Sequence, residues 1–182
     1  MQVAIIGAGP LGRWLAFAAA RAGYTVLLED VMPSNLHHAQ EYLRQQLGPA
    51  ALPMVEFAST IEGAVREADL AIDCVPDELE SKLEIFCLLD RMAPPRTVFI
   101  TPTTRLSIAD LASCTYRADK CVALVAKMQE LTEASIGVGA GEQSREILLR
   151  TPPHVTQETI ALVQEFWERI GFTPRFESDR SQ

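Results

Sequence analysis

An open, mostly parallel α/β sheet with helices on both faces, doubly wound in the Rossmann manner, is the fold class this sequence predicts. Three observations predict it. Short apolar runs alternate with amphipathic segments along the 182 residues, as expected for strands joined by crossover helices. The first apolar run, Val3–Ile6, leads directly into Gly7-Ala8-Gly9-Pro10-Leu11-Gly12. That glycine motif opens an Ala-rich segment, Leu15-Ala16-Phe17-Ala18-Ala19-Ala20. With no internal repeat or low-complexity stretch, the expectation is one dinucleotide-binding domain over residues 1–182, with an irregular insertion at about 127–145.

The strands predicted are Val3–Ile6, Thr25–Glu29, Leu70–Cys74, Thr97–Thr101 and Cys121–Ala126. Ile147–Arg150 and Thr173–Glu177 carry weaker strand signals. Helices are predicted over Leu11–Ala22, Ser34–Leu47, Leu79–Met92, Ile108–Ser113 and Thr156–Ile170, with Pro94-Pro95 and Gly171 marking helix ends. Lys127 to Glu142 breaks the pattern. It is polar, then glycine-rich at Gly137, Gly139 and Gly141, and no helix signal follows it. An irregular loop, the least ordered part of the chain, is expected there.

Composition narrows the function classes. A formal net charge of −8 argues against nucleic acid, whose phosphates demand a basic surface. It also offers no general attraction for an anionic cofactor, so any phosphate site must be built locally from backbone N–H groups and a helix N-terminus. No apolar stretch approaches the roughly 20 residues of a membrane-spanning helix, and the start of the chain lacks a basic leader. Cys74, Cys87, Cys114 and Cys121 form no C-x-x-C pair and read as reduced thiols of a cytoplasmic protein. No metal site is expected.

The strand-loop-helix context makes the glycine motif a dinucleotide fingerprint. Gly7 permits the tight turn, Gly9 lets a pyrophosphate approach the backbone, and Gly12 lets helix and strand pack closely. Pro10 and Leu11 open the helix beside the phosphates. Asp30 ends the second strand about 20 residues past Gly9, where a carboxylate accepts hydrogen bonds from the adenosine ribose. No Arg or Lys stands in Val31-Met32-Pro33-Ser34 to accept a 2′-phosphate, so NAD is predicted over NADP. Glu29 is the alternative acid. Alternation along a strand sends the two carboxylates to opposite faces, so one of them is expected to be merely solvated.

The chain resembles the NAD-binding domain of the 3-hydroxyacyl-CoA dehydrogenases. The likeness rests on V-A-I-I-G-A-G-P-L-G-R, on A-G-Y-T-V-L-L-E-D-V, on Ala71–Lys82 with its V-P-D-E-L core, and on Thr101–Ile108. It covers nearly the whole chain except about Lys127 to Arg145. The resemblance implies a cofactor-side role for Val75, Asp77 and Lys82, hydride transfer between NAD and a 3-hydroxyacyl-CoA, and a place in fatty acid metabolism. It implies that Thr104 replaces a serine that helps hold the substrate oxygen, and that Pro102 replaces a polar asparagine. Trp14 replaces a small residue, so its ring either fills space near the nicotinamide or simply packs.

The departures concern the chemistry. An ungapped alignment places the family's histidine, the base that takes the hydroxyl proton, on Val125, and valine cannot act as a base. The glutamate that orients this histidine falls on Ile147 or Leu148, depending on the direction of counting. Glu146 is adjacent. The family's helical second domain has no counterpart in the sequence. His37, His38 and His154 are expected on the surface. Three readings follow: a dehydrogenase of the hydroxyacyl-CoA type, impaired on its own, with an altered base or a partner chain supplying the helical domain; a noncatalytic NAD(H)-binding sensor or regulatory module; and a reductase of a different substrate using Lys127 or Glu130 as acid. A partner chain or another copy, as a homo-oligomer, is the expected assembly. An acyl-CoA is the substrate the resemblance implies.

Overall fold

The computed structural model describes residues 1–49, 51–126, 131 and 145–179. Along these residues the strands are β1 Gln2–Ile6, β2 Thr25–Glu29, β3 Val55–Ala58, β4 Leu70–Asp73, β5 Val98–Pro102, β6 Cys121–Val125, β7 Glu146–Thr151 and β8 Thr173–Ser178. The helices are α1 Pro10–Arg21, α2 Pro33–Gln46, α3 Ile61–Val65, α4 Leu79–Met92, α5 Ile108–Ala112 and α6 Gln157–Arg169. Lys127, Glu130 and Gly137–Gly141 lie outside the described residues, and so does most of the expected irregular loop.

All strands lie in one sheet of order β3-β2-β1-β4-β5-β6-β7-β8. β1 to β6 run parallel. β7 is antiparallel to β6, and β8 is parallel to β7. The strand order reverses between β1 and β4. In open α/β sheets that switch point, at the carboxyl ends of the strands, is where ligands bind.

Side-chain alternation divides the core between two faces. Val3, Ile5, Val26, Leu28, Ile72 and Ile100 pack under α1, α2 and α6. Ala4, Ile6, Ala71, Phe99 and Ala123 pack under α3, α4 and α5. Both layers are buried, so the central strands are apolar on both sides over most of their length, as buried parallel strands must be.

The sequence reading missed β3 and α3. β3 is a four-residue edge strand with Glu56 exposed, too short for a clear period of two. α3 has five residues and begins at Thr60, whose hydroxyl accepts the Gly63 N–H at 3.2 Å. That cap is legible in sequence, but one turn of helix has no periodicity to detect.

Candidate cofactor site

The glycine loop sits at the carboxyl end of β1, beside β4. Gly7 has φ +104, which favours glycine, and its N–H donates to the Glu29 carbonyl at 2.8 Å. A Cβ on Gly12 would lie 1.8 Å from the Gly7 carbonyl oxygen, so no side chain fits where helix meets loop. Gly9 differs. Its φ −64 and ψ −175 suit any residue, and a Cβ there would meet nothing within 4 Å. Folding does not require glycine at this position; the open space in front of the loop is what glycine preserves. α1 starts at Pro10 with no capping side chain and no acid in its first turn. Its N-terminal N–H groups and dipole are therefore free to meet an anion.

Asp30 is held beside this loop. One carboxylate oxygen accepts the Ala8 N–H at 2.8 Å and the Asn35 amide at 3.1 Å, and the other accepts the Met32 N–H at 2.8 Å. The acid thus fixes the β2 end to the glycine loop, and a carboxylate retains lone pairs for further donors. Sequence reasoning missed Asn35, whose signal is only an Asn in the first turn of α2.

Glu29 corrects an expectation. Neither acid of the pair is solvated: Glu29 is 2% exposed and Asp30 9%. Glu29 still belongs to β2, so its side chain turns inward rather than to water. Its Oε1 has no hydrogen-bond partner among the described residues. Burial, and secondarily the Asp30 carboxylate, push the Glu29 carboxyl up to about 7.

At the end of β4 stands a buried polar cluster that sequence reasoning only half identified. Lys82 is fully buried, with Nζ 3.0 Å from an Asp73 carboxylate oxygen and 3.2 Å from the Val75 carbonyl. The Thr101 hydroxyl donates to the same Asp73 oxygen at 2.9 Å, and the Val75 N–H donates to the other. Burial pushes the Asp73 carboxyl above the ordinary carboxylate range, against the pull of Lys82 and these donors. Lys82 therefore reaches the loop through Asp73 and the Val75 backbone. Asp73 could have been suspected from an acid ending the apolar run Leu70-Ala71-Ile72, nine residues before a lysine on the next helix.

The β4–α4 and β5–α5 loops are tied together in front of this cluster. An Asp77 carboxylate oxygen accepts the Thr104 N–H at 3.2 Å, and Arg105 donates to the Asp77 carbonyl at 2.6 Å. The other Asp77 oxygen is buried with no partner among the described residues. Thr104 itself is exposed. The open space at Gly9, the uncapped α1 and the orphaned Asp77 oxygen together fit a dinucleotide lying across the β1/β4 crevice.

The far end of this edge has different chemistry. Val125 ends β6 and pairs with Leu148 across the antiparallel ladder. Directly opposed residues share a face, so the register selects Leu148 over Ile147 as the position facing Val125. Ile147 turns to the other face, under α6. A cleft of about 220 Å³ opens here, with Val125, Leu148 and Phe172 in its wall and Glu146 and Arg175 as its charged members. Glu146 is exposed and lies two residues from Leu148. Trp14 packs: it is buried, edge-on to Phe172 at 5.9 Å. Pro102 is buried opposite Leu124. His37, His38 and His154 are all exposed, and His37 lies 3.4 Å from Glu41 on α2. Burial pushes the Cys121 thiol up to about 12, which keeps it protonated. Among the described residues no helix is long and apolar enough to cross a membrane.

Comparison with known proteins agrees with this geometry. The family described as "3-hydroxyacyl-CoA dehydrogenase, NAD binding domain" matches residues 2–125. A probable 3-hydroxybutyryl-CoA dehydrogenase of Bacillus subtilis (strain 168) is 27% identical over 160 residues, 79% of this chain and 55% of that protein. The mitochondrial hydroxyacyl-coenzyme A dehydrogenase of Sus scrofa is 28% identical over 141 residues, 68% of this chain and 45% of that protein. The chain thus spans about half the length of these curated relatives. Among solved structures, the (S)-3-hydroxybutyryl-CoA dehydrogenase of Ralstonia eutropha superposes with a TM-score of 0.83 at 18% identity, over 98% of this chain and 64% of that one. A diketoreductase superposes with a TM-score of 0.81 at 26% identity, over the whole of this chain and 65% of that one.

Proposed function

The chain belongs to the NAD-binding domain family of the 3-hydroxyacyl-CoA dehydrogenases, and from that premise we propose that it binds NAD(H) but is impaired in hydroxyacyl-CoA dehydrogenation on its own. The bound cofactor would supply the hydride acceptor; the chain's own residues hold it. The backbone of Gly7, Gly9, Pro10, Leu11 and Gly12 takes the pyrophosphate at the α1 N-terminus. Asp30 takes the adenosine ribose. Val75 and Asp77 line the path toward the nicotinamide half, and Lys82 supports them from beneath through Asp73.

The observation that carries the impairment is the aliphatic pair Val125 and Leu148 at the positions where the resemblance puts a histidine and its orienting glutamate. Removing a hydroxyl proton needs a base within hydrogen-bonding reach, and neither side chain offers one. Glu146 borders the same cleft and is the nearest substitute; Thr104 retains a hydroxyl that can hold a substrate oxygen.

The test has two parts. Titration with NADH, followed by fluorescence, should show binding. NADH oxidation with acetoacetyl-CoA should then be absent or slower by roughly 10²–10⁴-fold than in histidine-bearing relatives. Robust turnover overturns the impairment, and Glu146→Gln would then show whether Glu146 is the base.

A further inference from the structure

We propose that Glu29 is a second specificity-determining carboxylate: with Asp30 it sets the preference for NADH over NADPH, and it acts most strongly when ionised. The inference rests on the reading of Asp30 as the ribose acid. Glu29 ends β2, immediately before Asp30, and its carbonyl holds the N–H of Gly7. It is 2% exposed, and its Oε1 has no partner among the described residues. A buried carboxylate with an unmet oxygen is costly, and no packing gain explains an acid here. What it does supply is a second buried carboxyl in the residue immediately before Asp30, at the same end of β2.

The surrounding charges leave that role to Glu29. On the same face, β3 carries Glu56, and α3 carries Glu62 and is capped by Arg66, which pair with each other at 3.7 Å; all three are exposed. Asp73 and Lys82 neutralise each other beyond Ile6, across β1. On the opposite face Arg13 and Arg21 lie over the rings of Tyr42 and Phe17. No cation is paired with Glu29 among the described residues. A 2′-phosphate placed against Asp30 therefore meets two carboxylates once Glu29 has lost its proton, and one before. Two like charges at such separations repel appreciably at the effective dielectric of a protein edge. The ribose hydroxyl of NADH carries no charge and escapes this repulsion.

The experiment is calorimetric titration of the chain with NADH and NADPH at about pH 6 and about pH 8.5, which bracket the proton loss. Wild type, Glu29→Gln and Glu29→Leu are compared. The 2′-phosphate itself gains its second charge near pH 6, and the variants report that contribution alone. At the higher pH both variants should bind NADPH roughly three- to tenfold better relative to NADH than wild type does. At the lower pH the difference should shrink. The leucine variant carries the test if the glutamine amide disturbs the strand. An unchanged NADPH/NADH ratio at the higher pH, with NADH still bound, overturns the proposal for Glu29 alone. If instead Asp30→Ala leaves NADH affinity unchanged, the ribose reading fails and this inference fails with it.

Discussion

The two ends of the sheet's carboxyl edge are built from different materials. Around β1, β2 and β4 the site consists of backbone and buried charge: the open face of Gly9, the uncapped α1, Asp30 clamped to Ala8, and Lys82 against Asp73 and Thr101. Around β6 and β7 the facing pair at the corresponding edge is aliphatic, Val125 opposite Leu148, with the charges of Glu146 and Arg175 at the cleft they border. The contrast shows why binding and catalysis separate so readily in this architecture. A phosphate cradle is made of N–H groups that every residue carries, so it persists wherever the glycines keep the turn. Proton transfer depends on one side chain of one type, so a single substitution at such a position would remove it.

The comparison breaks most visibly if the buried charge of the first region is dispensable. Lys82→Met should leave the Asp73 carboxyl without its partner in the core. Breaking a buried pair in this way costs about 3–5 kcal/mol, read as a lowered urea midpoint. Asp73→Asn/Lys82→Met together should recover much of that loss. No recovery would mean that the pair's hydrogen bonds to Val75 and Thr101 matter more than its charge.

Gly9→Val tests the claim that the open space serves a ligand. The backbone there suits any residue and a Cβ meets nothing, so circular dichroism and thermal midpoint should stay near wild type. NADH binding should fall beyond detection, because the side chain occupies the pyrophosphate's place. Retained affinity would put the phosphates elsewhere.

Asp30→Ala should weaken NADH binding roughly 10–100-fold, since a hydrogen bond to a charged group is worth about 1.5–3 kcal/mol. Part of that loss comes from releasing the Ala8 N–H. Asp30→Asn, which can still accept from Ala8, should lose less, as titration of the two variants side by side would show.

Glu29 sharpens the comparison through pH. Its carboxyl is raised from 4.5 to about 7 in the folded chain, so between these values the folded state holds a proton that the unfolded state has released. Stability should therefore fall as pH rises through this window, and the deficit should be complete above it. Glu29→Leu should flatten that profile and gain about 3 kcal/mol at pH near 8 with little gain near 4. Urea melts at the two pH values check this.

The smallest expected effect is none. Val125→His should not produce acetoacetyl-CoA-dependent NADH oxidation, because Leu148 cannot orient the new imidazole or stabilise its charge. Turnover by this variant would show that the second region keeps the rest of its machinery.

The sequence alone determined the sheet's parallel character and the glycine loop at the carboxyl end of its first strand, and it named Asp30 as the candidate acid beside that loop. These are written in local patterns: an apolar run, three glycines at fixed spacing, and an acid at the end of the next strand. It also exposed Val125, because an ungapped segment carries position directly. Only the tertiary structure decided between Ile147 and Leu148, since ladder register across a long connection cannot be counted along the chain. Only the structure showed that Lys82 on α4 is buried against Asp73 and Thr101, 9 and 19 positions from it on β4 and β5. It likewise showed Glu29 and Asp30 both buried, where one of the pair was expected to be solvated. Burial is a property of what packs above a residue, and β3 and α3, which cover that end of β2, are too short to announce themselves by periodicity.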